Sequence, residues 1–111
     1  MKYRILDPAI ADIETARQYY RDTKYWTLLT KSKKLPDGEN ELSYAYYEEV
    51  RRTVKLVAAN PLASTEVSPG YFRRHLMRFP YKVIYFIDAN ELLILAVQHN
   101  HMHPDAWHDR I

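Results

Sequence analysis

The chain contains no cysteine. Disulfides, zinc–thiolate centres and thiol catalysis are therefore excluded. It also lacks a long hydrophobic run. Its apolar stretches fall well short of the roughly 20 residues a membrane-spanning helix needs. The opening "MKYRILDPAIADIE" meets charge before any apolar run long enough for a secretory leader. A soluble cytoplasmic protein with no membrane contact is the expectation. A strong charge excess is missing too: 16 Lys and Arg stand against 14 Asp and Glu, for a net +2. Proteins that live on a phosphate backbone usually show a clearer basic excess, although a small total can hide a local patch. There is no internal repeat and no low-complexity segment.

What is present suits one domain spanning 1–111. A chain of 111 residues, 47% of them apolar, can build a core but is too short for two ordinary domains. Ten tyrosines are many for this length. Each carries a large contact face and a hydroxyl that needs a partner when buried, which suits cores and protein interfaces alike.

"KYRIL" alternates bulky residues and reads as a short strand over 2–6. In "DPAIADIETARQYYRD", Asp7 is a good N-cap, and Pro8 fits the first helical position because its missing N–H costs nothing there. Ala9, Ile13, Ala16 and Tyr20 then form one apolar face at helical spacing. The next stretch, "TKYWTLLTKSKKLPDGENEL", prolongs that helix in its first half, with Trp26 and Leu29 on one side, and turns at "LPDGEN". A second helix, "SYAYYEEVRRTVKLVAAN", shows a stripe of Tyr47, Val50, Val54 and Val57 and stops at Asn60-Pro61. Arg51, Arg52 and Lys55 lie off the stripe and read as its solvated face. "PLASTEVSPG" reads as a loop. "YFRRHLMRF", "YKVIYFI" and "ELLILAVQH" follow as three strands, with Phe79-Pro80 between the first two and a tight turn at Asp88-Ala89-Asn90. The last is apolar on both faces and so belongs at the centre of a sheet. The order β-α-α-β-β-β implies an α+β fold: an antiparallel sheet packed on one face by a helical hairpin, with a short C-terminal tail or helix.

His99, His101 and His103 recur with the period of a strand, so all three side chains can leave one face. They either finish the strand structurally, gather a metal ion, or do acid–base chemistry. The metal reading is weak, because no carboxylate pattern completes a ligand set and Pro104 interrupts the strand. No metal and no cofactor are expected.

From about Gly70 onward the residue detail resembles the RelE/ParE superfamily of toxin–antitoxin toxins, often called plasmid stabilization proteins. Over nearly the whole chain the element order does so too. The resemblance rests on the basic Arg73-Arg74, on "YKVIY" (Tyr81–Tyr85), and on an apolar strand ending at His99, followed by Pro104 and Trp107. The tail ending in Pro and Trp resembles the ParE-like branch, whose members poison DNA gyrase by binding and need no catalytic residues. That branch implies a toxin neutralised by a cognate antitoxin that folds over it in a hetero-oligomer. The ribonuclease branch implies a second possibility, a metal-independent endonuclease acting on messenger RNA at the ribosome. There His99 or His101 would move protons, Lys82 would match the basic residue of the second meander strand, and Arg73, Arg74 or Arg78 would hold phosphate. On strand alternation, Arg74 and Arg78 share one face with Leu76, and Arg73 and His75 take the other. Trp107 is either an interface anchor or a plug for the sheet end, and the plug is favoured because large aromatics near a chain end fasten it down. Two departures stand out. Met102 occupies the place of a usual arginine, and the connection between the helices is long, adding a surface with Trp26, Lys31, Lys33 and Lys34. The first departure keeps a third reading open, a degenerate member that binds a partner and poisons nothing.

Overall fold

The computed structural model describes residues 1–22, 41–103 and 106–110. The expectations for Trp26, Leu29, Lys31, Lys33, Lys34, Pro104 and the "LPDGEN" turn lie outside the described residues. Strand β1 (Lys2–Ile5) leads into helix α1 (Asp7–Asp22), followed by helix α2 (Glu41–Ala59). Strands β2 (Thr65–Ser68), β3 (Tyr71–His75), β4 (Tyr81–Asp88) and β5 (Glu91–His99) complete the sheet, and a short 3-10 turn (His108–Arg110) ends it. This is the expected α+β architecture. No described helix is long and apolar enough to cross a membrane.

The sheet order is β1-β5-β4-β3-β2. β5 is central among its neighbours, as its two apolar faces require, and it pairs antiparallel with β4. β1 joins the other edge of β5 in parallel, from Lys2↔Glu91 to Ile5↔Ile94. The loop expected at "PLASTEVSPG" holds β2, which pairs with β3 across a turn at Gly70. Gly70 has φ +82°, and a Cβ there would lie 2.9 Å from the ring of Phe86. Only glycine fits such a position without strain.

α1 buries the four residues its periodicity singles out: Ala9, Ile13, Ala16 and Tyr20. α2 buries Val50, Val54 and Val57, but it is Tyr46 rather than Tyr47 that points into the core. The ring of Tyr46 packs on Tyr20, Phe79 and Tyr81. Tyr47 is left half-buried beneath the Arg17 guanidinium, 4.2 Å from the ring centre. Both helices lie on one sheet face, against Phe72, Val83, Tyr85, Leu92, Ile94 and Val97. The other face has its own smaller core of Ile84, Leu93, Leu95, Ala96 and Trp107. A bulge explains why Leu95 and Ala96 both fall there. Ile84 faces Ala96 but Tyr85 faces Ile94, so β5 carries one extra residue.

β3 ends earlier than "YFRRHLMRF" suggests. Glu49, buried on α2, accepts the backbone N–H groups of Met77 (3.1 Å) and Arg78 (3.0 Å). That clamp turns the chain off the sheet after His75. Arg78 therefore sits in the β3–β4 loop and not on a strand face with Arg74, which corrects the alternation read from sequence.

β1 covers β5 only as far as Ile94. Beyond it, side chains do the work of a missing strand. Asp12 accepts the Val97 N–H at 3.0 Å, and Arg110 donates to the Leu95 carbonyl at 3.0 Å. The two side chains also pair with each other through both guanidinium nitrogens. The tail is thus tied to α1 and to the sheet edge by one charge-assisted network.

Candidate functional site

The residues singled out in the sequence divide between the two sheet faces. Tyr81 pairs with His99, and Lys82 pairs with Gln98, on adjacent strands. Neighbours along a strand point opposite ways. His99 accordingly joins the helix side, edge-on to the Tyr81 ring at 5.1 Å. Lys82 faces the outer side with Ile84. Arg73 pairs with Ile84 and shares the outer face, whereas Arg74 pairs with Val83 and turns toward the helices. The structure therefore brings Arg73 together with Lys82 and Trp107. It does not bring His99 and His101 to them.

On the helix side, His99 borders a cleft of about 480 Å³ with Tyr19, Tyr20, Arg78, Phe79 and Tyr81. Burial pushes the hydroxyls of Tyr20 and Tyr46 well above the ordinary tyrosine range and that of Tyr81 upward, and close approach to one another adds to the shift of Tyr20 and Tyr46. These phenols stay neutral and cannot serve as bases near neutral pH. The His99 Nδ1 accepts the His101 N–H at 3.1 Å, and the two imidazoles stack at 5.1 Å. Nδ1 is thereby fixed as an acceptor, which leaves Nε2 as the proton-bearing nitrogen of the neutral ring. His101 and His103 are exposed beyond the strand end. Among the described residues no three His, Asp or Glu side chains gather where they could hold a metal ion.

On the outer side lies a cleft of about 430 Å³ between β2, β3, β4 and the tail. Thr65, Glu66, Ser68, Arg73, Lys82, Trp107 and His108 line it. Arg73 and Lys82 are diagonal neighbours on β3 and β4. Lys82 is only 7% exposed, yet no carboxylate pairs with it among the described residues. Glu66, in the same lining, accepts the Gly70 N–H through Oε2 at 3.2 Å. Gln98, across the ladder from Lys82, is wholly buried, and neither end of its amide has a partner among the described residues. An orphaned buried amide costs about 1–3 kcal/mol. Residues that carry such costs cluster at functional sites.

Trp107 is 3% exposed and packs on Tyr71 at 4.9 Å between ring centres. It plugs the sheet's outer face and leaves little surface for a partner. Sequence reasoning missed Gln98 and Arg110. A lone Gln in an apolar strand and an Arg at the chain end carry no spacing signal. The only available hint was a polar residue inside a run otherwise apolar on both faces.

A third concavity, of about 310 Å³, runs between the helices and β1, lined by Ile10, Ile13, Tyr47, Val50 and Val54. Tyr3 and Ile10 are each nearly half exposed beside it.

No family model matches the sequence, and no curated protein matches it. In structure the chain is similar to a chain of the "Chromosomal ParDE TA system from P. aeruginosa". The match has a TM-score of 0.64 at 19% identity and covers 89% of this chain and 95% of that one. The architecture built above, two helices on one face of a five-stranded sheet, is thus a RelE/ParE-like fold.

Proposed function

We propose that the chain is the toxin of a toxin–antitoxin pair and is ParE-like in mode. It acts by stoichiometric binding to a DNA-associated target such as gyrase and is neutralised by an antitoxin. The observation that carries this reading is the fold shared with a ParDE chain over 95% of that chain's length. Two features support it. The apolar groove between α1 and α2, edged by exposed Tyr3 and Ile10, suits an amphipathic antitoxin helix, which buries its own stripe in such a groove. The separation of His99 and His101 from Lys82 and Arg73 also favours binding over hydrolysis. A general base must reach the proton it takes while cations hold the same phosphate; Lys82 and Arg73 leave the sheet face opposite His99, and of the candidate cations Arg78 alone lines the His99 cleft.

The test is expression from a tightly controlled promoter with pulse labelling of DNA and protein synthesis. DNA synthesis falling first, with rescue by a co-expressed antitoxin, is the expected result. Protein synthesis falling first would overturn the reading in favour of the messenger RNA endonuclease. Unimpaired growth would leave the chain a binding module without a poison's activity.

A further inference from the structure

We propose that the uncovered end of β5 is a docking edge for an extended peptide that runs parallel to it, apolar in its middle and acidic toward its C-terminal end. The reasoning starts from the backbone. β1 leaves β5 after Ile94, where the Leu6 N–H donates to the Ile94 carbonyl. Across β5, the hydrogen bonds to β4 fall on alternate residues. The Asn100 N–H donates to the Pro80 carbonyl, two residues on from the Lys82–Gln98 pair. Val97 and His99 therefore turn their backbone groups to the open edge. There the Val97 N–H is committed to Asp12, and the His99 carbonyl accepts the Met102 N–H. The Val97 carbonyl and the His99 N–H remain, with no partner among the described residues.

That pair of groups admits one orientation. An antiparallel strand bonds to the N–H and the carbonyl of a single residue. Neither Val97 nor His99 has both groups open. A parallel strand bonds instead to the carbonyl of one residue and the N–H of the residue two further on. Val97 and His99 supply those two groups, and the incoming residue comes into register with Gln98. β1 already pairs with β5 in the parallel sense, so the peptide continues its line. Side chains follow from this register. The residue beside Gln98 shares the outer face, and its two neighbours turn to the helix side. They meet a cleft of about 350 Å³ lined by Thr15, Ala16, Tyr19, Tyr81 and Met102, with Val97 and His99 as its strand wall. Asp12, also in that lining, is committed to Val97 and Arg110. Such walls take apolar side chains. Past the strand end, Tyr19, Tyr81 and His99 also border the cleft of about 480 Å³ that holds Arg78. The Arg78 side chain is 60% exposed. Among the described residues its one ion pair is with Glu49, at 3.9 Å, a carboxylate that already accepts the backbone N–H groups of Met77 and Arg78. A parallel peptide approaches this guanidinium with its C-terminal end, which selects a carboxylate there. The edge is separate from the groove between α1 and α2, and it stands independently of whether the protein is toxic.

The experiment is a titration of the whole protein with the capped peptide acetyl-Ser-Leu-Ser-Phe-Asp-Glu-amide, whose second serine takes the place beside Gln98. Binding is read by calorimetry, backbone amide shifts and hydrogen exchange. Saturable binding is expected, with the largest shift and the strongest slowing of exchange at the His99 amide. N-methylation of the second serine removes the N–H that meets the Val97 carbonyl and should weaken binding by about tenfold or more. N-methylation of the phenylalanine, whose N–H points away from β5, should change it by less than about twofold. Moving the two acidic residues to the N-terminal end should cost about as much as Arg78→Gln, roughly fivefold to tenfold in each case. The proposal is overturned if the peptide fails to saturate, or if the two N-methylated peptides lose affinity equally. It is also overturned if the acid-first peptide binds as tightly, or if the shifts centre on Ile10 and Val50 in the α1–α2 groove.

Discussion

Replacing Asp12 tests how the sheet edge is closed. Its carboxylate accepts the Val97 N–H on the central strand and pairs with Arg110, and both side chains are about one-fifth exposed. Asp12→Ala removes the acceptor and leaves a buried strand N–H unsatisfied, at about 1–3 kcal/mol. It also strips a partly buried guanidinium of its counter-charge. The sum is a loss of about 3 kcal/mol, or roughly 12 °C in Tm for a domain of this size. Asp12→Asn keeps an oxygen for Val97 and gives up only the charge, so it should cost about 1–2 kcal/mol. Arg110→Met should cost a similar amount, through the lost bond to the Leu95 carbonyl. A double-mutant cycle between the two positions should show a coupling of about 1–2 kcal/mol. Urea unfolding followed by circular dichroism gives these numbers, and hydrogen exchange at Val97 gives a local reading. The reasoning fails if Asp12→Ala costs less than about 0.5 kcal/mol, if Asn is as damaging as Ala, or if the two positions prove additive.

Three other outcomes follow from the same structure. Gly70→Ala should lose about 2 kcal/mol in urea unfolding, from a left-handed φ and a Cβ 2.9 Å from the Phe86 ring; an unchanged midpoint would contradict the turn. Ala89 holds φ +53° in the two-residue β4–β5 turn, so Ala89→Gly should raise stability by roughly 0.5–1 kcal/mol, seen as a higher Tm. The hydroxyls of Tyr20, Tyr46 and Tyr81 are all pushed above the ordinary value of 10.0. Their contribution is full below that value and is lost as pH rises above it, because the unfolded chain ionises first. Alkaline titration should therefore show the last part of the tyrosinate absorbance, that of these three rings, rising together with the loss of circular dichroism, and their ionisation in a folded chain would refute their burial.

The helices and the meander were legible because their signals are local and periodic. Ala9, Ile13, Ala16 and Tyr20 announce one face of α1, and the double-sided apolar run of β5 announces a central strand. Adjacent Tyr46 and Tyr47 are equally bulky, and only the aromatic cluster with Tyr20 and Phe79 decides between them. β2 hid among Pro, Ser and Gly because a four-residue edge strand paired on one side needs little apolar patterning. The outer cleft was half legible. Arg73, Lys82 and Trp107 were each singled out, but their meeting depends on a strand register that periodicity does not reveal. Glu49, Lys82 and Gln98 break the rule that polar residues face water. Their burial is tertiary, and no single-chain pattern marks it.

The parallel pairing of β1 with β5 also sets the order of assembly. Lys2 meets Glu91, so β1 waits for β5, the last of the described strands, before it has a partner. Contacts this distant in the chain close slowly, because the loop between them must lose its freedom first. During synthesis the α1 and α2 segments emerge well before the sheet that covers their apolar stripes. A newly made molecule thus holds the apolar stripes of its helices uncovered until the sheet is complete.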